Sequence, residues 1–85
     1  MPVFLGVHDF GKPITKEEME GNWKRYQESA KKHGAEAWKV YFNLEAGKAY
    51  CVTEAESADV VNTAHNEIDK PTKELIEVEK LKAEK

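Results

Sequence analysis

The chain has 85 residues, 40% of them hydrophobic and 34% charged, with a formal net charge of −3. That balance describes one folded domain, residues 1–81, followed by a frayed tail over residues 82–85, and it excludes an intrinsically disordered chain. The acidic balance, with no basic cluster along the sequence, argues against a nucleic-acid binder.

A chain this short buries a modest share of its surface, so self-association would add buried area. One cysteine, Cys51, cannot form an internal disulfide, which suits a reducing compartment. The opening MPVFLGVHDF has no basic n-region, and no apolar run approaches the roughly 20 residues of a membrane span. The expected location is the cytoplasm, with no membrane partner.

Val3 to His8 reads as a β-rich run. Val3, Leu5 and Val7 form a wholly apolar set suited to a covered face, with Phe4, Gly6 and His8 on the other. Asp9 to Pro13 is turn chemistry. Thr15 and Glu18 then have capping-box spacing, which predicts a helix from about Lys16 to His33. Met19, Trp23, Tyr26 and Ala30 form its apolar stripe, and Gly34 its stop.

Ala37 to Asn43 alternates Trp38, Val40 and Phe42 with Lys39, Tyr41 and Asn43, a strand with one covered face. Leu44 to Gly47 is a hairpin loop with Gly47 free to take positive φ. The chain returns over Lys48 to Glu54, and a slip of one residue would turn Cys51 to the opposite face. Ser57 is a candidate N-cap for a second helix whose apolar face is Val61, Ala64, His65 and Ile68. Asp69 to Thr72 breaks that helix at Pro71. Glu74 to Leu81 is a fourth strand, placed near an edge by its charges.

The order β-α-β-β-α-β is the ferredoxin-like arrangement, an α+β fold with a four-stranded antiparallel sheet. Right-handed crossovers place the first and third strands in the centre and both helices on one face. The other face is left bare, and a second copy of the chain is the simplest cover, giving a homodimer of the dimeric α/β-barrel type.

Three side chains with ligand chemistry come near one another in this topology: His8, Cys51 and His65. Imidazole suits zinc, copper and nickel, and thiolate is a soft ligand. Asp9 and Glu54, at strand ends, are lesser candidates, as is Asp69, at i+4 from His65. Tyr41 is a candidate pocket residue. Each has a plainer reading. A lone strand cysteine is ordinarily a small core hydrophobe. A histidine on an apolar helical stripe is ordinarily a satisfied core residue, and His8 with Asp9 can be a strand-end pair. His33 reads as a dipole partner at the end of the first helix. None of the spacings is a dedicated metal or phosphate motif.

Taken in order, Phe4-x-x-Val7-His8, Ile14-Thr15-x-Glu17, Tyr50-Cys51-x-x-Glu54-Ala55-x-Ser57-Ala58-x-x-Val61, His65, Pro71 and Glu77-Val78 resemble a known family. It is the family of small nickel-binding proteins with a dimeric ferredoxin-like fold, many of whose members are described only as a domain of unknown function. The resemblance spans about Pro2 to Leu81. It implies a homodimer and a nickel site, with His8, Cys51 and His65 at matching positions. The chain departs from the family pattern at Asp9 and Lys70, where relatives tend to carry histidines.

Two functions follow from the sequence. The first is a small homodimeric metal-binding protein using His and Cys ligands, with Ni2+ implied by resemblance and Zn2+ or Cu2+ equally suited to the residues. The second is a small dimeric-barrel enzyme of isomerase, cyclase or monooxygenase type, with a histidine general base acting on a small organic ligand. Converging nitrogens and sulfur favour the first, and a closed apolar pocket with one histidine favours the second. No organic cofactor is expected.

Overall fold

The structure, a computed structural model, describes residues 1–83. The last two positions of the expected tail lie outside the described residues. Six elements follow one another: β1 (Val3–Asp9), α1 (Lys16–Lys32), β2 (Glu36–Asn43), β3 (Lys48–Glu54), α2 (Ala58–Glu67) and β4 (Glu74–Val78). The four strands form one antiparallel sheet in the order β2-β3-β1-β4. The expected ferredoxin-like topology is therefore present, with β1 and β3 central and β4 at an edge.

Local chemistry sets the element ends. The Thr15 hydroxyl accepts a hydrogen bond from the Glu18 backbone N–H at 3.1 Å, and the Glu18 carboxylate returns toward the Thr15 backbone N–H, completing a capping box. Helix α1 stops at His33, and Gly34 takes φ +80° as the residue after the cap. Gly47 closes the β2–β3 loop at φ +65°, with its backbone against the Lys12 carbonyl, so no side chain fits there. Ser57 sits at the N-cap of α2 without a side-chain capping bond. This helix ends before the proline, because Asp69 turns into the left-handed region at φ 58°.

The faces of β1 are the reverse of the sequence expectation. Phe4 and Gly6 are buried beneath the helices, whereas Val3, Leu5 and Val7 are only half-buried on the open face. Gly6 decides this arrangement. It pairs with Cys51 across the β1–β3 ladder, and its missing side chain leaves room for the sulfur. In β2 an irregularity between Ala37 and Lys39 breaks the alternation. Ala37 and Val40 pack into the core, while Trp38 moves to the open face beside Tyr41 and Val52.

The main core joins Phe4, Tyr26, Cys51 and Val61 with four small residues, Ala30, Ala35, Ala55 and Ala64. Alanines at these positions let α1 and α2 lie close to the sheet. The helices are also tied to each other. The Ser29 hydroxyl is 2.8 Å from the Ala64 carbonyl and 2.6 Å from the Glu67 carboxylate, and Lys32 pairs with that carboxylate at 2.7 Å.

Candidate metal centre

His8, Gly6, Ala49 and Cys51 share the helix-covered face of the central strands, with Gly6 opposite Cys51 and His8 opposite Ala49. Cys51 is thus diagonal to His8, and its thiol occupies the space that a side chain at position 6 would fill. From above, α2 lowers His65 onto the same spot through the Val61–Ala64–His65 face. His65 and Cys51 are 1% and 3% exposed. Cys51 Sγ lies 3.3 Å from His65 Nε2 and 3.8 Å from His8 Nε2. One ligand atom from each of the three residues falls within 4.8 Å of the others.

The His65 ring orientation is fixed from behind. His65 Nδ1 is 2.9 Å from the Val61 carbonyl, which can only accept, so Nδ1 carries the proton and Nε2 offers a lone pair. The Pro71 backbone favours the protonated His8 ring, against the larger effect of burial. A histidine whose far nitrogen donates to a backbone carbonyl is the arrangement that orients and strengthens metal-binding imidazoles. Tyr26 stacks on the His65 ring at 4.0 Å between centroids, and Phe10 lies parallel to His8 at 6.0 Å.

Burial sets the protonation states. It lowers the His65 pKa to about 4, and the neighbouring His8 pushes the same way against the Val61 carbonyl. His8 is lowered mainly by burial, with Lys70 assisting. Burial raises the Cys51 thiol to about 11, against a stabilising Gly6 backbone N–H. At neutral pH the group is two neutral imidazoles and one S–H, which points its proton at His65 Nε2. Two of the three groups would need no deprotonation to bind a metal, and the third would lose one proton.

Between these residues is a cavity of about 30 Å³, lined also by Met19, Trp23, Val40, Ile68 and Lys70. That volume holds a water or an ion and is far below the few hundred Å³ of a typical small-molecule pocket.

Four sequence candidates lie outside this group. Asp9 falls on the open-face side of β1, accepts from the Gly11 backbone N–H at 3.0 Å and pairs with Lys73 at 3.6 Å. Glu54 alternates away from Cys51 and faces the N-terminal ammonium at 3.8 Å. Asp69 lies past the helix end in an exposed turn, so the i+4 relation to His65 does not hold. Tyr41 pairs with Tyr50 on the open face and is 58% exposed, away from the cavity. His33, read as structural, packs against Glu67 at 3.4 Å. Conversely, Met19 and Tyr26, which the helical stripe identified as core, line the cavity. Gly6 was legible only as a glycine inside a strand, which is a known mark of close approach.

The fold and this group define a small ferredoxin-like α+β protein with two imidazoles and a thiol converging between the sheet and its second helix. The chain belongs to the SCO4226-like family: the model described as "Nickel responsive protein SCO4226-like" matches residues 4–78. Its fold is similar to the crystal structure of SCO4226 from Streptomyces coelicolor A3(2), with a TM-score of 0.85 at 23% identity. That match covers 95% of this chain and 99% of the other. No curated protein gives a match.

Proposed function

We propose that this protein binds one late transition-metal ion per chain through His8 Nε2, Cys51 Sγ and His65 Nε2. The observation that carries this reading is the convergence of the three ligand atoms on one buried spot, with the His65 tautomer already set by Val61. Nickel(II) is the ion that the family description supports, and the same donors suit zinc and copper. The donor set fits such ions: a soft thiolate, two neutral nitrogens, and room for one small further ligand. The protein acts as a metal-responsive or metal-holding module in the cytoplasm, a location supported by the buried, unbridged Cys51.

The same reading includes a homodimer through the open sheet face. That face carries a groove of about 260 Å³ lined by Val3, Trp38, Tyr41, Val52 and Val78. Lys39, Glu79 and Lys80 border it, so both signs are present for a self-complementary two-fold contact.

The test is metal content of the purified, untagged protein by mass spectrometry, followed by nickel and zinc titration of wild type and His65→Ala. Near-stoichiometric metal that is lost in the variant is the expected result. Absence of metal together with a flat titration for both ions would overturn the reading.

A further inference from the structure

Three side chains belong at once to the buried cavity and to a larger groove outside it. Phe10, Asn22 and Lys70 line the cavity of about 30 Å³ beside the ligand atoms, and the same three line an open groove of about 580 Å³. They come from three places in the chain: the turn after β1, the first half of α1 and the turn after α2. Each is half-buried, whereas Cys51 and His65 behind them are enclosed. We propose that this ring is the throat through which metal reaches and leaves His8, Cys51 and His65, and that the Lys70 ammonium is its electrostatic gate, so that the protein holds its ion by slow exchange. The proposal rests on the metal-binding reading above and adds to it a route and a rate.

The backbone fixes the frame of the throat. The Phe10 N–H donates to the Gly47 carbonyl at 2.8 Å, the Lys70 N–H donates to the His65 carbonyl at 3.0 Å, and Asn22 sits within a helix. The Asn22 side chain is held as well, because its oxygen accepts from the Arg25 guanidinium. Widening the ring therefore falls to side-chain rotation, and Lys70, on a flexible four-carbon stem, is the member freest to swing.

Charge makes that member a gate. At neutral pH, among the described residues lining the inner cavity, Lys70 is the one charged side chain. Its charge reaches the centre: after burial, Lys70 is the cause that lowers the His8 pKa. A cation bound at the three ligands has the Cys51 thiolate to offset Lys70. Within the throat that offset is weaker, and no carboxylate of the described residues lines the inner cavity. Glu17 and Glu18 line the outer groove, where Glu18 is already bonded to Thr15. Lys70 thus raises the energy of passage more than that of the bound state, since like charges repel more strongly away from bulk water. A barrier raised between two states slows both entry and exit.

The experiment is stopped-flow mixing of the 85-residue chain with nickel(II), read by thiolate-to-nickel absorption, and a chase of the loaded protein with excess EDTA. The proteins are wild type, Lys70→Gln, Lys70→Arg and Asn22→Ala, with circular dichroism to check each fold. Lys70→Gln should speed association about tenfold and dissociation about threefold. Lys70→Arg keeps the charge and should stay within about twofold of wild type in both rates. Asn22→Ala widens the ring without touching a ligand and should speed both rates by the same factor. Faster association with slower dissociation in Lys70→Gln would place its effect on the bound ion and overturn the gate, as would unchanged rates or Lys70→Arg behaving like Lys70→Gln. Unchanged rates in Asn22→Ala would overturn the route. All of these leave the three-ligand reading intact, whereas nickel(II) binding to none of the four proteins would overturn that reading and the gate with it.

Discussion

A methyl group at position 6 would meet the Cys51 sulfur at 2.8 Å and the Thr72 Cγ2 at 2.9 Å. Gly6→Ala should therefore destabilise the fold by about 1–3 kcal/mol, as overpacking does, and displace the sulfur from its position beside the two imidazoles. Urea unfolding and metal titration of the same variant check both effects, and unchanged affinity would show that the sulfur has slack. His65 sets a second expectation at this scale. Its folded pKa of about 4 lies below the 6.5 of the free side chain. Below about pH 6.5 the unfolded chain takes up this proton and the folded chain does not, until about pH 4. Stability is thus fully present above pH 6.5 and falls as pH drops through this window. At about 1.4 kcal/mol per pKa unit the loss is on the order of 3 kcal/mol. His8, also lowered, adds to the same window. Glu67, held below the usual carboxylate range chiefly by Lys32 and Ser29, gives its own loss at lower pH. Denaturant midpoints for metal-free wild type between pH 7 and 4 should show the drop, and His65→Asn should flatten most of it. A wild-type profile already flat there would contradict the burial of a neutral imidazole.

Between elements, the contact most open to dissection is the hydrogen bond of the Tyr26 and Thr53 hydroxyls, which ties α1 to β3 beside the candidate metal centre. Thr53 is fully buried and Tyr26 nearly so. Tyr26→Phe or Thr53→Val alone strands a buried hydroxyl and should cost about 1–3 kcal/mol, while the double variant should cost less than the sum. A four-protein unfolding cycle measures this, and additive losses would mean that the two hydroxyls do not depend on each other. The sequence made the elements legible where a residue has one strong local role. Thr15 with Glu18, Gly34 and Gly47 each mark a boundary that the structure keeps. It made faces less legible. Both sets of β1 contain apolar residues, so alternation alone cannot choose between Val3-Leu5-Val7 and Phe4-Gly6-His8. The choice depends on which partner residue needs the gap at Gly6, a tertiary fact. The break between Ala37 and Lys39 likewise carries no local signal, and it moves Trp38 out of the core. His8, Cys51 and His65 were found because their residue types are chemically distinctive and the topology brings their strands and helix together.

For the whole molecule, the two faces of the sheet differ in what they present. The helix-covered face holds the His8–Cys51–His65 group, and the open face keeps Val3, Leu5, Val7 and Val52 half-buried with Trp38, Tyr41 and Ile76 at 37%, 58% and 41% exposure. Apolar side chains that alternate this regularly toward solvent are costly for a small monomer, and a second copy covering them would enlarge the buried core. The border supplies orientation. Lys39 lies near the Tyr41 ring and Lys80 over the Trp38 ring, with Glu79 beside them, so a two-fold contact can set each lysine against the other chain's carboxylate. Tyr41→Glu places a charge in the middle of that surface. In sedimentation velocity at micromolar concentration, wild type should run as a dimer and Tyr41→Glu as a monomer. Because Tyr41 and the His8–Cys51–His65 group lie on opposite faces, the variant should keep the metal affinity of wild type. A wild-type monomer would refute the dimer outright. A variant that loses metal as it dissociates would show instead that the second copy supports the centre through the sheet, and that the two faces do not work independently.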